Sequence, residues 1–288
     1  MTDQVMMGRT PRILVHGDLH ADTWGRLGAR VLEETGLGPW IMENAPDLLI
    51  IAGDIANHPT WNWPMALRDI AEYVLPEKVV IIPGNHDYYR FSLDGDDELR
   101  LIARRAGMRF AQKEEIRIGT VRIFCCTLWT DFALNGTPEL DARAARQGLN
   151  DYHQITTGRS LGTIASHNRQ ILPEDVLRVH HDHRAWLEER LRAPHFAGPE
   201  GTTIVVTHHG PSRATAAGAI DSLTPAFHSD LDDLILETQP DFWLFGHSHR
   251  RCRAMVGKTD VRCVSIGYPF EWTRGAFDEV TDLARVLG

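Results

Sequence analysis

The amino-acid sequence predicts an α/β fold organised around an open sheet. Three observations carry this reading. Short apolar, β-branched runs recur along the 288 residues and read as buried strands. Segments of helical spacing separate them. Five of the runs stop at Gly- or Pro-flanked Asp, Asn or His, at the strand C-terminal ends where open α/β sheets place binding groups.

The first strand, 12–15, runs directly into His16-Gly17-Asp18-Leu19-His20. Asp18 and His20 alternate with Leu19, so an extended backbone points both side chains the same way. Residues 24–35 carry helical spacing, with Gly36 as the expected C-cap. The second strand, 47–52, ends in Gly53-Asp54, where glycine permits close backbone approach. A helix over 61–75 is stopped by Pro76. The third strand, 78–82, ends in Pro83-Gly84 and leaves Asn85, His86 and Asp87 on the following loop.

Residues 94–106 read as a further helix, and 115–128 as a hairpin around Gly119-Thr120. Periodicity is lost over 129–157, a length that within a compact domain marks a lid or binding loop. Within it Asn150, Asp151, Tyr152 and His153 either contact a substrate or only pack the lid. Residues 161–172 have an ambiguous helical pattern. Pro173-Glu174-Asp175 opens a helix to about residue 191, as a proline and acids in a first turn favour. Its histidines His180, His181 and His183 read as a solvated face. The fourth strand, 202–207, ends in His208-His209-Gly210-Pro211, and 231–236 looks helical. The fifth, 241–245, ends in Gly246-His247-Ser248-His249, whose H-x-H pattern in extended backbone aims both imidazoles one way. A hairpin of 252–256 and 261–266 closes the chain. There is no internal repeat or linker, so one domain over 1–288 is expected, with an irregular lid or cap around 129–172.

Composition narrows the function. A hydrophobic share of 43% and a charged share of 24% are those of a soluble globular protein. The net charge of −9 offers no footprint for bulk nucleic-acid binding, although bound metal ions can reverse the field locally for a phosphate substrate. Residues 1–12 lack an apolar signal core, and no stretch approaches the ~20 apolar residues of a membrane span. Four cysteines without C-x-x-C spacing point to a reducing cytosol. Fifteen histidines hint at metal chemistry.

Seven strand-end groups can converge on one rim: Asp18, His20, Asp54, Asn85, His208, His247 and His249. This mixed nitrogen and oxygen set suits Mn, Fe, Zn, Co or Ni, and recruits no thiolate as a structural zinc site would. It exceeds the needs of one ion and fits two ions sharing a carboxylate, about 3.5–4 Å apart. His208 is favoured over its neighbour His209, because it follows the strand directly.

The ordered series Asp18-Leu19-His20, Gly53-Asp54, Gly84-Asn85-His86-Asp87, Thr207-His208 and Gly246-His247-Ser248-His249 resembles the calcineurin-like metallophosphoesterase family. The resemblance spans 13–249 and implies a four-layer α/β/β/α sandwich of two mixed sheets flanked by helices. It implies that Asp18, His20 and His249 hold one ion, that Asp54 bridges, and that Asn85, His208 and His247 complete the second. It makes His86 a non-ligand that assists the leaving oxygen while a hydroxide between the ions attacks phosphorus. The expected substrate is a small phosphate ester, with diesters ahead of monoesters. Alternatives are a nuclease of the same family or a non-catalytic scaffold. One departure is Asn57, where protein Ser/Thr phosphatases carry an Asp that orients the catalytic His. Another is the lack of phosphate-gripping arginines after the G-D and G-N-H motifs, where at most Arg90 serves.

Overall fold

The computed structural model describes residues 9–158, 168–216, 220–273 and 275–287. In chain order its strands are β1 Ile13–His16, β2 Leu48–Ala52, β3 Val79–Ile82, β4 Phe91–Ser92, β5 Arg109–Phe110, β6 Glu114–Ile118, β7 Val121–Cys126, β8 Ile155–Thr157, β9 Arg169–Gln170, β10 Thr202–Thr207, β11 Phe242–Phe245, β12 Arg253–Val256, β13 Thr259–Cys263 and β14 Arg285–Leu287. The first sheet has the order β14-β1-β2-β3-β5, and the second β12-β13-β11-β10-β7-β6. Both are mixed. β1, β2, β3 and β5 run parallel, as do β7, β10, β11 and β13, and antiparallel strands occupy edges of each sheet.

The layers follow from which side chains share a core. Ile13, Val15, Leu48, Ile50, Ala52, Val80 and Ile82 of the first sheet meet Ile123, Cys125, Ile204, Val206 and Leu244 of the second. The alternate residues Leu14, Leu49, Ile51, Val79 and Ile81 face the other way. They pack with Leu37 and Ile41 of helix Leu37–Asn44, and with Trp63, Leu67 and Ile70 of helix Pro59–Ala71. Beyond the second sheet, Phe124, Val205, Trp243 and Phe245 pack with Leu187 and Leu191 of helix Pro173–Arg192, and with Leu234 and Ile235 of helix Asp232–Thr238. The result is helix, sheet, sheet, helix, as the sequence predicts. Because the central strands are covered on both faces, they read as unbroken apolar runs.

Four local expectations are corrected. The helix predicted over 24–35 is three short ones, Ala21–Arg26, Val31–Glu34 and Leu37–Asn44. Gly28 and Gly36, at φ 72° and 75°, turn the chain between them. The segment 129–157 is not irregular throughout, since it holds helices Pro138–Gly148 and Asp151–Gln154 and then β8. Of the longer helix only Asp141 and Ala145 are buried, too narrow a stripe to show as periodicity, although Pro138 and first-turn acids mark its start. Of 161–172, residues 161–167 lie outside the described residues, and Arg169–Gln170 form a strand of the small sheet β4-β8-β9. His180 and His183 are buried rather than solvated, and His183 Nδ1 accepts from the Leu128 N–H at 3.2 Å.

Asp87 ties the loops that follow β2 and β3. Its fully buried carboxylate accepts from the backbone N–H groups of Asp54 (2.8 Å), Ile55 (3.0 Å), Ala56 (3.2 Å) and Gly84 (2.8 Å), and from the Trp63 indole (2.8 Å). Burial pushes this carboxyl up, the Asp54 charge adds to that, and the five donors oppose both. Asp87→Ala strands five buried donors. The expected cost is about 3 kcal/mol, or about 6–12 °C in Tm at this chain length. A calorimetric melt within 2 °C of wild type, roughly the shift of under 1 kcal/mol, would remove the tie from the account.

Candidate metal centre

The C-terminal ends of the two sheets meet, and their loops are knitted by main-chain bonds. Gly17 N–H donates to Val264 O (3.0 Å), Asp18 N–H to Gly53 O (2.9 Å), His20 N–H to Asp54 O (3.0 Å) and Gly246 N–H to His208 O (2.9 Å). The backbone there is not extended. Asp18, His20, Asp54, His247 and His249 all have positive φ, between 42° and 66°. The alternation expected for D-x-H and H-x-H is therefore replaced by left-handed turns that swing successive side chains inward. The glycines of the motifs have a steric reason. A Cβ at Gly53 would strike the His208 ring, and one at Gly84 would strike Asp54 Oδ1.

The seven strand-end groups come together. Asp18, His20 and His249 form one set, and Asp54, His208 and His247 another; within each, one nitrogen or oxygen per residue lies within 4.8 Å of the others. His20, Asp54 and His86 make a third such set and link the two. Asn85 joins through its Oδ1, 3.0 Å from His208 Nε2. His208, rather than His209, faces Asp54, with Nε2 3.4 Å from Oδ1. His209 packs behind it, its ring 5.1 Å from Trp129 and 4.1 Å from His247. No thiol takes part: Cys125, Cys126, Cys252 and Cys263 are free, and burial raises each thiol's pKa.

The donor set fits cations. His208 Nδ1 donates to the Ala52 carbonyl at 2.8 Å, so its Nε2 presents a lone pair to the carbonyl oxygen of Asn85 and to the Asp54 carboxylate. Three acceptors facing one another need a positive charge between them. On the other side His249 Nδ1 donates to Glu271 Oε2 at 2.7 Å. Its Nε2 then faces Asp18 Oδ1 at 3.3 Å, acceptor against acceptor, with His20 Nε2 3.0 Å away. His247 Nε2 is buried with no hydrogen-bond partner. Without a metal ion a proton on Nε2 takes that place: burial disfavours the charged forms of His208 and His249, yet Asp54 raises the first to about 9 and Asp18 with Glu271 raises the second to about 10. His20 and His247 are driven well below the usual histidine range, chiefly by burial.

His86 stands beside this cluster with its ring fixed. Its Nδ1 is 2.8 Å from Asn57 Oδ1, its ring stacks on Tyr89 at 4.1 Å, and its N–H donates to Asp54 Oδ1 at 2.9 Å. Asn57 thus orients the ring where an Asp was expected to be needed. Of the anticipated substrate contacts, Asn150 is exposed, Tyr152 is buried, and Asp151 is turned toward the metal side. Asp151 Oδ1 accepts from Asn85 Nδ2 at 2.9 Å and from the Tyr89 hydroxyl at 2.6 Å. That bond sets the Asn85 amide so that its oxygen faces His208.

Three contributors carried no motif. Glu271 bonds His249 and the Tyr268 N–H (2.7 Å each), Ser265 Oγ donates to Asp18 Oδ2 at 2.6 Å, and Tyr268 stacks on His20 at 4.2 Å. All lie beyond the last motif, and only the H-x-H strand's position beside β13 brings them in. Carboxylates behind metal-binding imidazoles usually tune affinity 10–100-fold. Glu271→Ala is therefore expected to weaken Mn²⁺ binding by about that factor in isothermal titration, with the circular dichroism spectrum unchanged. An unaltered Kd would separate Glu271 from the site.

Comparison with known proteins agrees with this geometry. Residues 11–251 match the model of the calcineurin-like phosphoesterase family. No curated protein sequence matches. Among solved structures, the phosphopantetheinyl hydrolase of Mycobacterium tuberculosis is similar at TM-score 0.65 and 18% identity, over 92% of this chain and 93% of that one. A dimetal phosphatase from Danio rerio is similar at TM-score 0.48 and 13% identity, over 88% and 87%. At 18% identity the likeness to the phosphopantetheinyl hydrolase is one of fold. The family match covers most of the chain, and the chain belongs to the calcineurin-like phosphoesterase family.

Proposed function

We propose that this protein hydrolyses small phosphate esters at two metal ions, with diesters preferred over monoesters. Asp18, His20 and His249 would hold one ion, Asn85, His208 and His247 the other, with Asp54 shared. The observation that carries the reading is the pair of sites where the lone pair of a neutral imidazole faces oxygen acceptors, His208 with Asn85 and Asp54, and His249 with Asp18. When bound, such ions supply Lewis-acid stabilisation of phosphoryl oxygens and lower the pKa of water.

The chain's own residues supply the rest. His86 lies next to Asp54 but is held from behind by Asn57, so its Nε2, 3.5 Å from the Tyr268 hydroxyl, is left to face a departing ester oxygen and pass it a proton. Tyr89, stacked on the ring and itself bonded to Asp151, couples that orientation to Asn85. The preference for diesters rests on charge. The groups in direct contact with the His86 ring other than the metal-site residues are Asn57, Tyr89 and Tyr268, all uncharged. A singly charged diester needs less cationic help there than a doubly charged monoester. The helices Pro138–Gly148 and Asp151–Gln154, with the small sheet β4-β8-β9, would cap the same domain. Among the described residues no helix is long and apolar enough to cross a membrane.

Bis-p-nitrophenyl phosphate is expected to be turned over with kcat/KM at least tenfold above p-nitrophenyl phosphate; the reverse order would remove the diester preference. His86→Ala should cost about 10²–10⁴ in kcat. Asp54→Ala should abolish turnover together with metal retention. Unchanged turnover in either variant, after chelation and remetallation, would sink the assignment. Asn57→Ala, which only releases the ring, should cost about tenfold, far less than loss of His86 itself.

A further inference from the structure

We propose that Tyr268 is a further catalytic residue, whose hydroxyl donates a hydrogen bond to the ester oxygen leaving phosphorus, beside Nε2 of His86. This rests on the phosphoesterase reading above. The placement of the phenol carries it. Its hydroxyl is 3.5 Å from His86 Nε2, at the long limit of a hydrogen bond. The ring is held on three sides. It stacks on His20 at 4.2 Å and 25°, meets the His249 ring at 4.8 Å, and is covered outside by Phe270 at 5.3 Å. Its backbone N–H is fixed by Glu271 Oε2 at 2.7 Å. A side chain so constrained has one polar atom, and its one hydrogen-bond contact among the described residues is Nε2 of His86. A phenolic hydroxyl carries one O–H, which it can donate.

The reaction step closes as follows. A water oxygen bonds to phosphorus and its proton passes to solvent. The bond from phosphorus to the leaving oxygen breaks, with its electron pair on that oxygen. The oxygen takes a proton from His86 Nε2, which regains one from solvent. Tyr268 keeps its own proton throughout and lowers the charge on the leaving oxygen by hydrogen bonding alone.

A donor aimed at the leaving oxygen matters most when the leaving alcohol is a poor one. Tyr268→Phe keeps the ring and removes only the hydroxyl. Its kcat is to be compared with wild type on phosphodiesters whose leaving groups run from p-nitrophenol through phenol to a simple alkanol. The expected loss is at most tenfold for p-nitrophenol and about 10²-fold for the alkanol, the scale of one oxyanion donor. KM, manganese content and Tm should stay at wild-type values. A second variant, Tyr268→His, keeps a ring and a donor and should lose less on the alkanol ester than Tyr268→Phe does. A loss equal across all leaving groups, no loss, equal losses in the two variants, or a fall in bound manganese would each overturn the proposal. Wild-type protein inactive on every ester would instead overturn the phosphoesterase reading beneath it.

Discussion

Two carboxylates buried at the seam of the sheets, Asp18 and Asp54, set the terms for everything around them. Each is at most 1% exposed, and among the described residues their ion-pair partners are imidazoles alone. Burying a carboxylate without compensation is costly, so the structure must bring donors to it. Asp18 receives the His247 N–H at 2.9 and 3.0 Å and the Ser265 hydroxyl, and Asp54 receives the His86 N–H. Main-chain donors can point inward from a strand end only if the chain turns sharply. Hence the left-handed backbone at Asp18, His20, Asp54, His247 and His249, which costs about 1–2 kcal/mol per residue outside glycine. Strain of this kind persists where rigid surroundings over-determine it. Here the surroundings are eight parallel strands in two sheets and the five-donor anchor at Asp87.

Around the seven groups runs a layer of oxygens, each with one task. The Ala52 carbonyl fixes the tautomer of His208, Glu271 that of His249, Asp151 the amide of Asn85, and Asn57 the ring of His86. These oxygens come from four separate parts of the chain: the end of β2, the final loop, the helix pair after β7, and the loop after Asp54. Precision at the centre is thus a property of the whole sandwich rather than of any motif.

That division explains what could be read from the sequence. The strands were legible because burial on both faces leaves no polar position to break the run, as in Leu48 to Ala52. The seven strand-end groups were legible because each follows such a run within a few residues. Their backbone conformation was not: D-x-H and H-x-H look extended by pattern, and the turns come from contacts between loops of different sheets. The sequence offers Asp151 as a substrate contact or as lid packing, and it carries no signal that Asp151 lies at the start of a helical turn and bonds a residue 66 positions away. Glu271 and Tyr268 had no local signal at all, since Gly267-Tyr268-Pro269-Phe270-Glu271 reads as an ordinary turn. Helix Pro138–Gly148 was missed because it buries almost nothing apolar.

The charges in that surrounding layer are distributed unevenly, and the unevenness has a chemical sense. Behind the candidate ligands stand carboxylates, Glu271 at His249 and Asp151 at Asn85, where negative charge strengthens the hold on a cation. Behind His86 stands an amide, Asn57. A carboxylate in its place would set a negative charge across the ring from an anionic phosphate at Nε2. At an effective dielectric of ~20, two unit charges ~6 Å apart repel by roughly 3 kcal/mol, about a hundredfold in binding. An amide orients the ring and fixes Nδ1 as a donor without that repulsion. It gives up the carboxylate's stabilisation of an imidazolium, so a site built this way benefits from a second donor to the leaving oxygen. The hydroxyl of Tyr268, 3.5 Å from Nε2, is the group placed to be one.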